Sequence, residues 1–196
     1  MRKLIVIFLL LSSFCFSQTK PINSENTWLI DYYFKDDKII KDGLSNIINL
    51  TLTGKYNDAK IEIYRLKSEV QKSSLAYSAL LCYEANICYN ESKYDQSFTL
   101  ADSAISITSN LDKDNRYIVK ALNIKAKALS ALNEFESSEK ILNETVQLAT
   151  AIEDKNGLAS SYYLQNSNAS DRGFYTKSKD LLLKSIALRK EIKDEL

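Results

Sequence analysis

The chain has 196 residues, 45% of them hydrophobic, with four Gly, one Pro, no His and 26 basic against 25 acidic side chains. That apolar content can bury a sizeable core and excludes a disordered chain, while the scarcity of Gly and Pro excludes a turn-rich sheet protein. Balanced charge without blocks excludes a basic nucleic-acid footprint, and the missing histidine removes the commonest general base and metal ligand.

Met1-Arg2-Lys3 precedes an apolar run from Leu4 to Phe16, and Cys15-Phe16-Ser17 puts small residues at the positions a signal peptidase reads before Gln18. Residues 1–17 are therefore expected to be a cleaved secretory signal peptide, short for a spanning helix. Phe14 stands where a lipoprotein signal needs a small residue, which disfavours lipidation of Cys15. Cleavage leaves 24 basic groups against 25 acidic ones in an exported, periplasmic or extracellular chain. Membrane association enters only if the signal stays uncleaved.

Residues 18–38 read as a linker and an N-terminal capping segment. The cap is expected to be a helix over 27–41 carrying Trp28, Leu29, Ile30, Tyr32, Tyr33 and Phe34. Beyond it a pattern recurs: a small or turn-forming residue, then an aromatic that opens a helix. The aromatics are Tyr56, Tyr94, Phe135 and Tyr175, spaced by 38, 41 and 40 residues. Such a period is the mark of stacked helix pairs, and it divides 39–196 into repeats at about 39–73, 74–112, 113–154 and 155–194. Apolar intervals of three, four and seven support two helices per repeat. Examples are Leu81-Ala85-Cys88 and Phe98-Ala101-Ile105 in the second pair, and Leu122-Ala126-Leu129 and Leu142-Val146-Ala149 in the third.

Cys82 and Cys88 lie six residues apart on one predicted helix, about 9 Å along its axis. A disulfide needs Cα atoms within about 7 Å, so they are expected to be packing residues. Lys190 to Glu195 matches the earlier link Ala151 to Asn156, and the chain is expected to stop where a fifth pair would begin. That register also makes the terminal Lys193-Asp194-Glu195-Leu196 a repeat link rather than a retention signal. The four glycosylation sequons at Asn49, Asn90, Asn143 and Asn168 are read as products of an Asn-, Ser- and Thr-rich composition.

The small-x-aromatic-x-x-small turn with a small residue in mid-helix A resembles the tetratricopeptide repeat. It stands here as Leu81, Ala85, Cys88, Tyr94, Ser97, Ala101 and Ala104, and again as Leu122, Ala126, Leu129, Phe135, Ser138 and Leu142. The period near 40 is similar to the longer-helix subclass found in extracytoplasmic regions of bacterial sensor kinases. The resemblance implies an all-α, right-handed solenoid of about four helix pairs. It also implies a non-catalytic function, protein or peptide binding in a concave groove, and no cofactor or metal. Two positions depart from the pattern: Asn166 in place of a small residue, and Gly43 in place of a large one, which predicts imperfectly packed outer repeats. The family's carboxylate clamp is matched at Asn86 and Lys120 but not at Cys82 and Ile124.

Projection of each helix A onto the groove selects Asn86, Tyr89 and Asn90, then Lys120, Asn123 and Lys127, and finally Tyr163. Amides and amines beside aromatic rings suit a peptide carrying carboxylates. A stand-alone periplasmic adaptor and a small-ligand solenoid are the alternatives to a sensor-type module. No phosphate loop, nucleophile elbow or metal-ligand cluster occurs in the sequence, so an enzyme is not expected.

Overall fold

A computed structural model describes residues 24–109, 111 and 116–194; the expected signal peptide at 1–17 and the start of the expected linker lie outside them. Within them the chain is all-α: α1 (Ser24–Phe34), α2 (Lys38–Leu52), α3 (Tyr56–Glu69), α4 (Leu75–Asn90), α5 (Tyr94–Thr108), α6 (Arg116–Ala131), α7 (Phe135–Ala151), α8 (Lys155–Asp171) and α9 (Tyr175–Asp194). None of these helices is long and apolar enough to cross a membrane.

The recurring turn has a single backbone mechanism. Gly54, Ser92, Asn133, Glu153 and Gly173 take φ values of 74, 62, 64, 55 and 79°, the left-handed region. At each, its N–H bonds the carbonyl three residues back, and the next N–H reaches the carbonyl five back. Ser92 N–H donates to the Tyr89 carbonyl at 2.9 Å, and Lys93 N–H to the Cys88 carbonyl at 2.8 Å. These paired bonds satisfy the orphan carbonyls of the ending helix and reverse the chain. The next helix then starts two residues later, which is where Tyr56, Tyr94, Phe135 and Tyr175 stand. Helix starts are fixed by side chains: Asp37, Ser74 and Asp154 accept the N–H groups of Ile40, Tyr77 and Gly157 at 3.1, 3.1 and 2.9 Å. The Asp37 cap also corrects the expectation of one helix over 27–41, because it ends α1 and begins α2 within three residues.

Consecutive helices pack on one another, giving four pairs: α2 with α3, α4 with α5, α6 with α7, α8 with α9. The first members α2, α4, α6 and α8 also touch in order, and no comparable series joins α3, α5, α7 and α9. The first helices thus form a shared inner layer. Small side chains permit it: Ala85 and Ala126 are fully buried, and Ser138 Oγ reaches the Ala126 carbonyl at 2.8 Å. Gly43 serves close approach too, since a Cβ there would lie 2.5 Å from Leu66 Cδ1. Its departure from the repeat pattern is therefore a packing solution rather than a defect. Cys82 and Cys88 are buried free thiols, as their spacing required, and burial pushes the Cys82 thiol up to about 12.

The fourth pair also differs from expectation. Asn166-Ser167-Asn168 is poor helix material by propensity, yet α8 runs through it and packs closely on α9. The reason is a buried polar joint. Asn168 Nδ2 donates to Ser138 Oγ at 2.9 Å, and Ser130 Oγ donates to Asn168 Oδ1. Gln165 Nε2 donates to Asn143 Oδ1 at 2.7 Å, and Ser161 Oγ donates to Asn123 Oδ1 at 2.8 Å. Asn166 Oδ1 accepts Ser178 Oγ at 2.7 Å, the counterpart of the Ser138 bond one period earlier. The second helix of this pair departs from its role: Tyr175 is 73% exposed and Leu182 and Ile186 are exposed too, whereas the Tyr94 ring packs at a tilt 5.3 Å from that of Tyr89. The expected link at Lys190 to Glu195 is likewise not a turn, because α9 stays helical through Asp194.

Two stability changes follow. Glu153→Gly relieves a left-handed β-carbon and should raise the free energy of unfolding by about 0.5–1 kcal/mol in urea titration. Asn168→Ala takes the acceptor from the Ser130 hydroxyl and a donor from Ser138 Oγ, which keeps its bond to the Ala126 carbonyl, and should cost about 1–3 kcal/mol in the same assay.

Candidate functional site

The inner layer carries a half-open cavity of about 430 Å³. Its walls come from α1, from all four first helices and from Arg189 near the end of α9. Of the groove residues selected from sequence, Asn86, Asn90, Lys120, Asn123, Lys127 and Tyr163 line this cavity together. Tyr89 does not line it; its ring lies beneath Lys127, with Nζ 3.7 Å from the centroid.

The lining follows from helical spacing. On α6, Arg116, Lys120, Asn123 and Lys127 fall at intervals of four, three and four and so share one face. On α4, Tyr83, Asn86 and Asn90 fall at three and four. On α8, Asp154 caps the helix and the chain then presents Asn156, Gly157, Ser160 and Tyr163. A Cβ on Gly157 would sit 2.3 Å from Val119 Cγ1 on α6 and 2.4 Å from Asp154 Oδ2, so this wall needs glycine. Asn123 is buried, donating to the Gly157 carbonyl at 3.2 Å and accepting Ser161, and thus joins α6 to α8 while lining the cavity.

Charge is concentrated here. Among the described residues the lining holds Arg116, Lys120, Lys127 and Arg189 against one acid, Asp154, in a chain whose net charge is only +1. Among the described residues Arg116, Lys120 and Lys127 have no carboxylate partner, and aromatic faces hold them instead. Lys120 Nζ lies 4.1 Å from the Tyr83 centroid, and the Arg116 guanidinium carbon lies 5.2 and 5.5 Å from Trp28 and Tyr32 of α1. Such contacts are worth about 0.5–2 kcal/mol each, and they leave the positive charge uncancelled. Burial without a counter-charge lowers the Lys127 ammonium below its ordinary value. Two donors here lack acceptors: Tyr83 Oη and Arg116 Nε are buried with no hydrogen-bond partner.

Arg116, Tyr83 and Trp28 were not among the residues selected from sequence. Arg116 and Tyr83 could have been found by running the stripes at Lys120 and Asn86 back one turn. Trp28 could not, because its place follows from α1 packing across the layer. Asp154 appeared only as a repeat-link residue, and its burial at the cavity edge, 2% exposed, is a tertiary outcome.

Lys127 makes a pH prediction. Its proton is held more weakly in the folded chain than in the unfolded one, so the penalty of burying the cation is present at neutral pH. Stability at this position should rise as pH climbs through the lowered value toward that of a free lysine. Lys127→Met should therefore melt higher than the parent at pH 7, with the difference in Tm shrinking by pH 10 in calorimetry. No family model, no curated protein and no solved structure matches the chain in comparison with known proteins.

Proposed function

We propose that this chain is a non-catalytic recognition scaffold. It is a tetratricopeptide-like right-handed solenoid, exported by the segment 1–17, and it binds a protein or peptide partner in the inner-layer groove. The observation that carries this reading is the convergence of Asn86 from the second pair with Lys120 and Lys127 from the third onto one cavity, where neither lysine has a carboxylate partner among the described residues. Neighbouring amides supply donors and acceptors to a peptide backbone, and the ammonium groups supply attraction to its acids. A sensor-type module of a signalling system and a stand-alone envelope adaptor would use this groove in the same way. A small-ligand solenoid is the second reading, favoured by one observation: about 430 Å³ falls within the range of small-molecule pockets.

Affinity capture from an envelope extract, with the parent chain and an Asn86→Ala, Lys120→Ala, Lys127→Ala triple variant, tests the groove. Recovery of the partner should fall roughly tenfold or more if these side chains are the anchors. Equal recovery by the two proteins removes the groove from the interface. Fractionation tests export, with mature protein in the cytoplasm counting against it.

A further inference from the structure

The cations of α6 form a ladder. Arg116 and Lys120 are one helical turn apart, about 6 Å along the axis, and Lys127 lies two turns further, so the three span about 16 Å on one face. An extended peptide advances about 3.3 Å per residue and returns a side chain to the same face every second residue, about 6.6 Å. A segment of about six residues therefore covers the ladder, and acids at alternate positions would meet its rungs within the reach of lysine and arginine side chains.

We propose that the groove is a binding site for an extended, internally acidic peptide segment lying along α6, with its side-chain carboxylates on Arg116, Lys120 and Lys127; this rests on the groove reading above and commits it to one class of partner. Three independent observations meet in it. The first is charge complementarity: among the described residues four lining cations face one acid, and Asp154 already caps α8 through the Gly157 N–H. The second is the absence of a carboxylate partner on any rung among the described residues, where the rings of Tyr83, Tyr89 and Trp28 hold the cations without neutralising them. The third is the pair of donors without acceptors in the same place. Tyr83 is 6% exposed, and its hydroxyl and Arg116 Nε make no hydrogen bond. A carboxylate oxygen is the acceptor both lack, and a charge-assisted bond to it is stronger than one to a neutral amide.

Across the groove Asn86 and Asn90 of α4 line the cavity and can bond the peptide backbone, which is how such a segment would be held extended. A nucleic acid fits less well. The positive charge is confined to a cavity of about 430 Å³ on one helix face of a nearly neutral chain, not spread as a stripe that tracks a phosphate backbone.

The test is fluorescence anisotropy of the full chain with a labelled hexapeptide alternating Glu and Ala, beside its Gln-Ala analogue and a labelled DNA hexanucleotide. The Glu peptide should bind about tenfold or more tightly than the Gln peptide. Its affinity should fall with added salt. Lys120→Gln and Lys127→Gln, each checked by circular dichroism and Tm to be folded as the parent, should each weaken it severalfold. Tyr83→Phe, which removes only the hydroxyl, should also weaken it. Equal affinity for the Glu and Gln peptides, indifference to both lysine variants, or tighter binding of the oligonucleotide would overturn the proposal. Partner capture with the alanine variant decides the underlying reading separately. Groove-dependent capture with no preference for the Glu peptide leaves that reading standing and removes the acidic segment.

Discussion

The structure depends on one backbone state that recurs five times among the described residues, a single left-handed residue after a helix. Each occurrence closes two hydrogen bonds onto the ending helix and starts the next helix two residues later. The reversal is tight enough to bring the paired helices into contact along their length, provided the facing residues are small. Ala85 and Ala126 meet that condition, and the Ser138 hydroxyl bonded to the Ala126 carbonyl fixes the separation. Once pairs have a fixed geometry, stacking them produces the inner layer, and the layer produces the groove. Three of the five turns use a residue with a β-carbon, Ser92, Asn133 and Glu153, so the fold tolerates local strain where packing over-determines the conformation.

The joints between pairs are not alike. The first pairs meet through aliphatic side chains, with Leu44, Ile47, Leu80 and Ile87 fully buried. Between the third and fourth pairs the joint is made of Ser130, Ser138, Asn143, Ser161, Gln165 and Asn168. Such a network contributes modest net stability per bond, but it is costly to break and accepts one register, because a shifted α8 would strand several buried donors at once. This has a consequence for the groove. Asn123, Gly157 and Asp154 belong both to the joint and to the cavity wall, so the position of α8 relative to the α6 ladder is set by hydrogen bonds rather than by a deformable apolar contact.

The groove itself departs from the rule that buried charge is paired. Lys127 is desolvated without an acid, and Arg116 is sandwiched by α1 aromatics with a donor unsatisfied. Elsewhere among the described residues the protein pairs its charges readily, as in Lys67 with Glu84 or Lys60 with Glu91 between the first and second pairs. The contrast lies within one chain of one composition. Neutralising cations at the joints and leaving them open in the cavity comes at some expense of stability, which is what the proposed binding role would require.

The sequence by itself determined the helices, their pairing and most of the groove. A turn residue followed by an aromatic every 38 to 41 positions is a local signal, set by φ preferences and by the 3.6-residue period, and both act within a few residues of chain. For the same reason the projection onto a helix face brought Asn86, Asn90, Lys120, Asn123, Lys127 and Tyr163 to one cavity. Three things were decided only by the tertiary structure. Asn166 to Asn168 read as weak helix until partners on α6, α7 and α9 bonded the two asparagines, because propensity counts a polar side chain as a competitor for the backbone when it has nothing else to bond. Tyr89 faced the groove by spacing, yet packing placed its ring under Lys127. Trp28 and Arg116, far apart in sequence, met only when α1 crossed the layer. Whether a cation is paired with an acid or with a ring depends on which long-range neighbour arrives, and that is information no local window of residues contains.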